Sequence, residues 1–91
     1  MDQTQDEGNN ASFTCQATSE PVPTISWYFN GAPVDEGNAL KYIIGNNTLR
    51  VLNVESSDVG TYTCNATNVL STDISSGILT VNGELLILVL H

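Results

Sequence analysis

The sequence predicts an all-β domain that folds as a sandwich or a barrel. Apolar and polar residues alternate over several short segments, which is the period of a β-strand with one buried face. These segments follow one another closely and are separated by turns rich in Gly, Pro and Asn. A chain of 91 residues has room for one small domain of seven or eight such strands.

The first half of the chain contains two clear alternating segments. Phe13 and Cys15 share one face of the first segment, and Trp27 lies on the inward face of the second, where Tyr28 points outward. Prolines separate the two segments, because proline cannot donate to a strand ladder. In order, we expect a polar lead-in at 1–9, a strand at 11–17, a break at 20–23, a strand at 25–29, a turn at 30–33 and an exposed loop at 35–38.

The second half repeats this pattern, with one polar corner. Tyr62 and Cys64 share the inward face of the longest alternating segment, and the polar residues before it are typical of a corner with one helical turn. In order, we expect a strand at 41–44, a turn at 45–47, a strand carrying Leu49, Val51 and Val54, the corner at 55–60, a strand at 61–68 and a last strand at 71–81.

The charge balance excludes several classes of partner. Ten acidic residues against Lys41 and Arg50 give a net charge of −8. Such a chain cannot neutralise phosphates, so we expect neither nucleic acid nor an anionic membrane as a partner. The acidity indicates either solubility alone or a basic protein partner. We find no signal peptide and no apolar run long enough to span a bilayer.

The sequence offers no constellation for catalysis, and we expect no enzyme activity, no cofactor and no metal site. The only histidine is the terminal His91, so no serine has a base within reach. The carboxylate pairs Asp6-Glu7 and Asp35-Glu36 are interpreted as solvated loop residues rather than calcium ligands. A glycine-rich phosphate loop is also absent from the sequence.

Four residues in a fixed order give the fold a more specific interpretation. Trp27 follows Cys15 by 12 residues, and Tyr62 precedes Cys64 by two. The order Cys, Trp, Tyr-x-Cys resembles the core of the immunoglobulin superfamily, in particular its I-set class. The resemblance extends over about residues 8–81 and includes Pro21-Val22-Pro23-Thr24-Ile25-Ser26-Trp27 and the series Leu49, Val51, Val54, Asp58, Gly60, Tyr62, Cys64, Ala66, Asn68. Ser71 stands where the family often has Gly, and residues 1–5 carry no proline.

The resemblance implies a two-sheet antiparallel sandwich in Greek-key topology, with specific roles for its core residues. Cys15 and Cys64 would form a disulfide between the sheets, although two buried thiols remain the alternative, as in cytosolic muscle relatives. Trp27 would pack against this pair, together with Leu49, and the Tyr62 hydroxyl would fasten the polar corner.

The family pattern also suggests an ion pair at the corner. In related domains, an acid at the position of Asp58 often pairs with a base near the position of Lys41. We expect a Lys41–Asp58 salt bridge, and the alternative is that Asp58 acts only as a cap or turn residue.

Three sequons provide candidate glycosylation sites at Asn10, Asn46 and Asn65. About two sequons are expected by chance from this composition, so their number alone is weak evidence. Their placement at turns or on outward strand faces would accommodate a glycan. We expect at least one of the three to be used.

Two surfaces are candidate interfaces. The resemblance places Tyr28, Thr63 and Asn65 on one outward sheet face, which related cell-surface domains use for contact, and a glycan at Asn65 would shield much of it. Alternatively, Tyr28 is a lone surface aromatic residue, partly covered by neighbouring threonine side chains.

The second candidate interface lies in the C-terminal tail. We expect residues 1–81 to form the domain and 82–91 a separate apolar tail. Asn82-Gly83 is a hairpin signal, and the run containing Leu85, Leu86, Ile87 and Leu88 could fold back as an added strand or pair with a second copy to form a homodimer. Other interpretations of the tail are the start of a following domain, a truncated membrane span or an artefact of excision.

From this resemblance we expect an extracellular protein-protein interaction module within a larger adhesion molecule or receptor ectodomain, with a protein partner that is either a second copy or another surface or matrix protein. The alternative is a structural spacer, or a link in an intracellular muscle-type array, which has no ligand of its own.

Overall fold

The computed structural model describes residues 2–15, 22–45 and 47–83, and within them the chain is a β-sandwich, as the sequence predicts. The described residues form eight strands and one 3₁₀ turn. The strands are β1 Gln3–Asp6, β2 Ala11–Thr14, β3 Thr24–Phe29, β4 Ala32–Pro33, β5 Tyr42–Gly45, β6 Thr48–Val51, β7 Gly60–Thr67 and β8 Thr72–Asn82, and the 3₁₀ turn at the polar corner is Ser56–Asp58.

The strands form two sheets, and the chain crosses between them repeatedly. One sheet has five strands in the order β1-β8-β7-β3-β4, and the other has three in the order β2-β6-β5. The chain changes sheet between β1 and β2, β2 and β3, β4 and β5, and β6 and β7, whereas β3–β4, β5–β6 and β7–β8 are antiparallel neighbours within one sheet. This is the Greek-key arrangement that the sequence predicts.

One pairing differs from the expected pair of antiparallel sheets. β1 runs parallel to β8, with Gln3 opposite Leu79 and Asp6 opposite Asn82. β1 is followed after a short turn by β2 in the other sheet, so it cannot form a hairpin with its successor. It therefore joins the edge of the five-stranded sheet parallel to β8, and this direction leads the chain on to β2.

The core lies between the facing sides of the two sheets, where alternate residues are buried. Phe13 on β2 and Leu49 on β6 face Trp27 on β3 and Tyr62 on β7. The buried set is Ala11, Phe13, Cys15, Trp27, Val34, Leu49, Val51, Val54, Tyr62, Cys64, Ala66 and Leu79. The expected strand through Val54 is shorter, because β6 ends at Val51 and Asn53 takes a positive φ of 50°. Val54 is still fully buried.

The β3–β4 connection is tighter than the four-residue turn that the sequence predicts. Only Asn30 and Gly31 form the turn, with φ of 50° and 87°. Two consecutive positive φ values are typical of a type I′ hairpin, which Asn-Gly adopts readily. Ala32 and Pro33 then pair back onto β3 as an edge strand, where a missing proline N–H costs little.

A disulfide joins the two sheets near the middle of the core. Cys15 lies just after β2 and Cys64 on β7, and their Cα atoms are 6.1 Å apart. Trp27 is in register with Cys64 on the neighbouring strand and is only 2% exposed. Its indole Nε1 is buried and finds no hydrogen-bond partner among the described residues, so packing alone fixes this side chain.

Tyr62 connects both sheets to the polar corner. Its ring stacks on Phe13 of one sheet and Phe29 of the other, with centroid distances of 4.8 and 4.7 Å. Its hydroxyl donates a hydrogen bond of 2.8 Å to the backbone oxygen of Asp58. Burial raises the pKa of Tyr62 well above its ordinary value, and the nearby charge of Asp58 adds to this effect.

Asp58 is both an ion-pair partner and a capping residue. Lys41 Nζ lies 2.5 Å from Asp58 Oδ2 and 3.8 Å from Glu55 Oε2. The same Oδ2 accepts the backbone N–H of Glu55 at 2.9 Å, which closes a reciprocal capping box around the 3₁₀ turn. Because Asp58 is only 4% exposed, its charge needs this pairing. A salt bridge with Lys41 and a capping role are alternatives for Asp58 on sequence alone, and in the structure Asp58 does both.

Removing the disulfide should cost much of the stability of the domain. The Cys15→Ala/Cys64→Ala variant should unfold with a free energy lower by about 4 kcal/mol, because the unfolded chain regains the freedom of a loop closed across 49 residues. Urea denaturation of the variant beside the oxidised chain measures this difference. Equal midpoints and slopes would show that the cross-link does not constrain the unfolded chain.

Alkaline pH should destabilise the chain through Tyr62. Its pKa is raised on folding, so its contribution is complete below pH about 10 and is lost as pH rises beyond, since only the unfolded state then ionises. Tyr62→Phe should cost about 1–2 kcal/mol at pH 7, because the Asp58 carbonyl loses its donor.

The pH dependence separates this titration from the lost hydrogen bond. Above pH 10, the stability gap between wild type and Tyr62→Phe should narrow by up to about 1.4 kcal/mol per pH unit, measured by urea titrations from pH 7 to 11.5. A gap that stays constant over this range would mean that Tyr62 ionises equally in both states. The stability gap between the two proteins should be constant between pH 7 and 9, and this constant value is the internal reference.

Candidate functional site

The outward surface of the five-stranded sheet carries no charge over its three central strands. We call this surface the sheet face. It comprises Thr24, Ser26 and Tyr28 of β3, Thr61, Thr63, Asn65 and Thr67 of β7, and Thr72, Ile74, Ser76, Ile78 and Thr80 of β8. A chain with a net charge of −8 therefore has a wide neutral area on one side.

Strand register arranges the sheet face in rows. Thr63 lies between Tyr28 and Ser76, and Asn65 lies between Ser26 and Ile74. The hydroxyls of Thr63 and Ser76 are 2.9 Å apart, and those of Thr67 and Thr72 are 3.1 Å apart. Such close contacts are typical of the narrow, non-hydrogen-bonded pairs of an antiparallel ladder. The Thr63–Ser76 pair lies at the centre of the face, and the Thr67–Thr72 pair lies at its end.

Two exposed isoleucines on this face were missed by the sequence reasoning. Ile74 is 65% exposed and Ile78 is 49% exposed. A signal for them exists, because alternation along the expected last strand places Ile74 and Ile78 on the face opposite Leu79. Tyr28, expected to be either an exposed anchor or a partly covered side chain, is half-buried.

A second exposed apolar patch lies at one end of the sandwich. Val69 and Leu70, in the loop between β7 and β8, are 88% and 75% exposed, and Val22 just before β3 is 80% exposed. Thr24 pairs with Thr67, which places both segments at the same end. Asn68 Oδ1 accepts the backbone N–H groups of Leu70 and Ser71 at 2.8 and 2.9 Å, so the loop has a defined shape although it lacks the family's glycine.

The edge of β8 is only partly covered. β1 pairs with β8 from Leu79 to Asn82, and Asp2 Oδ1 accepts the backbone N–H of Ile78 at 2.9 Å. Residues 72–77 of β8 pair with β7 on one side and, within the part of the chain that the structure describes, with no strand on the other. Their outward backbone groups form an open sheet edge beside Ile74.

The sequon residues occupy different surroundings. Asn65 is half-buried within the sheet face, and its Oδ1 accepts a hydrogen bond of 2.7 Å from the hydroxyl of Thr67, the third residue of its sequon. Asn10 is exposed before β2, and its Oδ1 accepts the backbone N–H of Asn53 at 3.0 Å. Asn46 and the tail residues Leu85, Leu86, Ile87 and Leu88 lie outside the described residues.

Two findings on the described residues concern metal binding and membrane crossing. These residues hold no group of three or more His, Cys, Asp or Glu side chains that could bind a metal ion. Over the same described ranges, we find no helix long and apolar enough to cross a membrane. The structure thus defines a disulfide-linked sandwich module with a neutral sheet face and an apolar end.

The comparisons with known proteins identify the family. The model of the immunoglobulin domain family matches residues 1–68. Neuroglian of Drosophila melanogaster is 35% identical over 79 residues, which is 86% of this chain and 6% of neuroglian. The chain belongs to the immunoglobulin family, and the I-set class remains a prediction.

Solved structures agree with this assignment. Extracellular domains 3–5 of Drosophila OTK superpose with a TM-score of 0.81 and 28% identity, covering 88% of this chain and 28% of that one. Titin domain M7 superposes with a TM-score of 0.79 and 31% identity, covering 90% of this chain and 86% of that one. The chain thus spans a small part of neuroglian and of OTK, but nearly all of a single titin domain.

Proposed function

We propose that the chain is an extracellular protein-protein interaction module of an adhesion molecule or receptor ectodomain, and that it binds its partner through the sheet face. The observation that carries this proposal is the neutrality of that face. Thr63 and its neighbours on β3 and β8 bear no charge. Alternation places Asp73 of β8 on the opposite side of the sheet, and Asp2 borders the face beside Ile78.

The chemistry of the sheet face suits a protein partner. The centres of protein interfaces are depleted of charged residues, since a charge must be desolvated when it is buried. Tyr28 supplies an aromatic ring, Ile78 supplies apolar area, and the paired hydroxyls of Thr63 and Ser76 supply hydrogen-bonding groups. An acidic remainder of the surface keeps such a module soluble and attracts a basic partner.

The extracellular location has separate support. A disulfide persists in oxidising compartments, and the Cys15–Cys64 bond is formed in this structure. Sequons are modified only on chains that enter the secretory pathway. Of the described sequon residues, Asn10 is exposed and Asn65 is half-buried on an outward face. The OTK domains, which this chain resembles, are described as extracellular.

A second candidate function is a structural module in an array, with neighbouring domains as its contacts. The observation that favours it is the likeness to titin domain M7, of which the chain covers 86%. The exposed Val22, Val69 and Leu70 at one end are suited to such end-to-end contacts. In this role the sheet face would have no partner.

A charge placed in the centre of the sheet face should weaken binding. Thr63→Arg should weaken the affinity for a partner at least about tenfold, because the guanidinium would be buried without a counter-charge. The matched control is Thr14→Arg on the outward face of β2. It makes the same substitution and breaks the equivalent hydroxyl contact, which joins Thr14 to Thr48 at 3.3 Å.

The measurement uses the chain displayed on beads as a multivalent probe. The probe is tested against beads carrying the same chain and against a panel of recombinant ectodomains, and surface plasmon resonance then gives the affinity of each variant. Binding that survives Thr63→Arg would place the interface elsewhere. A panel without any binding partner would contradict the module proposal and favour the array.

A further inference from the structure

We propose that Asn65 carries an N-linked glycan whose first sugar covers Ile74 and the open edge of β8, and so keeps the domain from associating with itself. This inference rests on the extracellular location proposed above, but it does not depend on which partner binds. The relevant observations are the sequon at residues 65–67, the register of β7 with β8, and the exposure of Ile74.

The acceptor group is suitably placed for the modification. The hydroxyl of Thr67 donates to Asn65 Oδ1 at 2.7 Å, and no hydrogen bond joins Asn65 Nδ2 to any other described residue. In the transfer, Nδ2 attacks C1 of the sugar at the end of a lipid-diphosphate-linked oligosaccharide. The N–C1 bond forms, the C1–O bond to phosphate breaks, the lipid diphosphate leaves with the electron pair, and Nδ2 loses one proton.

The register places the sugar beside Ile74. Asn65 and Ile74 are directly opposite, in the same narrow pair type as Thr63 and Ser76, so their Cβ atoms are about 4.5–5.5 Å apart. An N-acetylglucosamine ring has an apolar C–H side and an acetyl methyl group, which can pack on the isoleucine. The ring would therefore remove from water a side chain that is 65% exposed.

The same position protects the sheet edge. Residues 72–77 of β8 present unpaired backbone groups within the described part of the chain, and Ile74 lies in the middle of this segment. An exposed edge with an apolar side chain is a template for pairing with a second copy. A glycan on the adjacent strand would obstruct that approach, as a charged or bulky group does on other edge strands.

The glycan would also divide the sheet face. It would cover the row of Ser26, Asn65 and Ile74, and leave Tyr28, Thr63, Ser76 and Ile78 open. The open part still contains the ring of Tyr28 and the side chain of Ile78. The footprint of a protein partner would then be confined to the half of the face nearer the polar corner.

The test is to secrete the whole chain from a eukaryotic host and compare glycosylated wild type with Asn65→Gln. Peptide mass spectrometry after enzymatic deglycosylation, which converts a glycosylated Asn into Asp, locates the sugar. Sedimentation velocity measures self-association. We expect occupancy at Asn65, a monomer for wild type, and at least a tenfold stronger self-association for Asn65→Gln, reversed in Asn65→Gln/Ile74→Thr.

Two controls make the outcomes decisive. Asn10→Gln removes the sequon on the opposite sheet and should leave self-association unchanged, which separates a local effect from the general solubility that sugars confer. The apolar tail is identical in all variants, and the Ile74→Thr reversal separates association through the β8 edge from association through the tail. An unmodified Asn65, or a monomeric Asn65→Gln chain, would overturn the inference. The effect of Thr63→Arg on partner binding tests only the proposed function.

Discussion

The stacking of Tyr62 between Phe13 and Phe29 is the interaction on which the rest of the fold depends. Phe13 belongs to one sheet and Phe29 to the other, so the tyrosine ring is packed against both halves of the sandwich. Its hydroxyl donates a hydrogen bond to the Asp58 carbonyl. The Asp58 carboxylate in turn forms a salt bridge with Lys41 and accepts the backbone N–H of Glu55. One side chain thus links sheet packing to the polar corner, and the nearby disulfide makes the same connection covalent.

The core and the sheet face are consequences of one alternation. On β7, Tyr62 and Cys64 point into the core, so Thr61, Thr63 and Asn65 must point out. The sequence satisfies the inward positions with aromatic and sulfur-containing residues and the outward ones with small polar residues. The outward positions could carry charges without harming the fold, as Arg50 does on β6. Their neutrality is therefore not required by folding.

Much of this architecture could be predicted from sequence, because it depends on local rules. Alternation located the strands, and the spacing of Cys15, Trp27, Tyr62 and Cys64 identified the family and hence the sandwich. The parallel pairing of β1 could not be predicted, since four residues at a sheet edge carry no signal for the direction of their partner. The exposure of Ile74 also depends on tertiary structure, because an apolar residue in a strand is normally assigned to a core until the neighbouring layers are known.

The parallel pairing of β1 with β8 has a mechanical consequence. The described chain enters at the Asp2 end of β1 and leaves at the Asn82 end of β8, so a force that pulls these two ends apart slides one strand along the other. The four register pairs from Gln3–Leu79 to Asp6–Asn82 are then loaded together in shear, and not opened one after another as in a hairpin. Rupture requires these contacts to yield at once. A short edge strand that adds little to the core can therefore set the tension at which the sandwich unfolds.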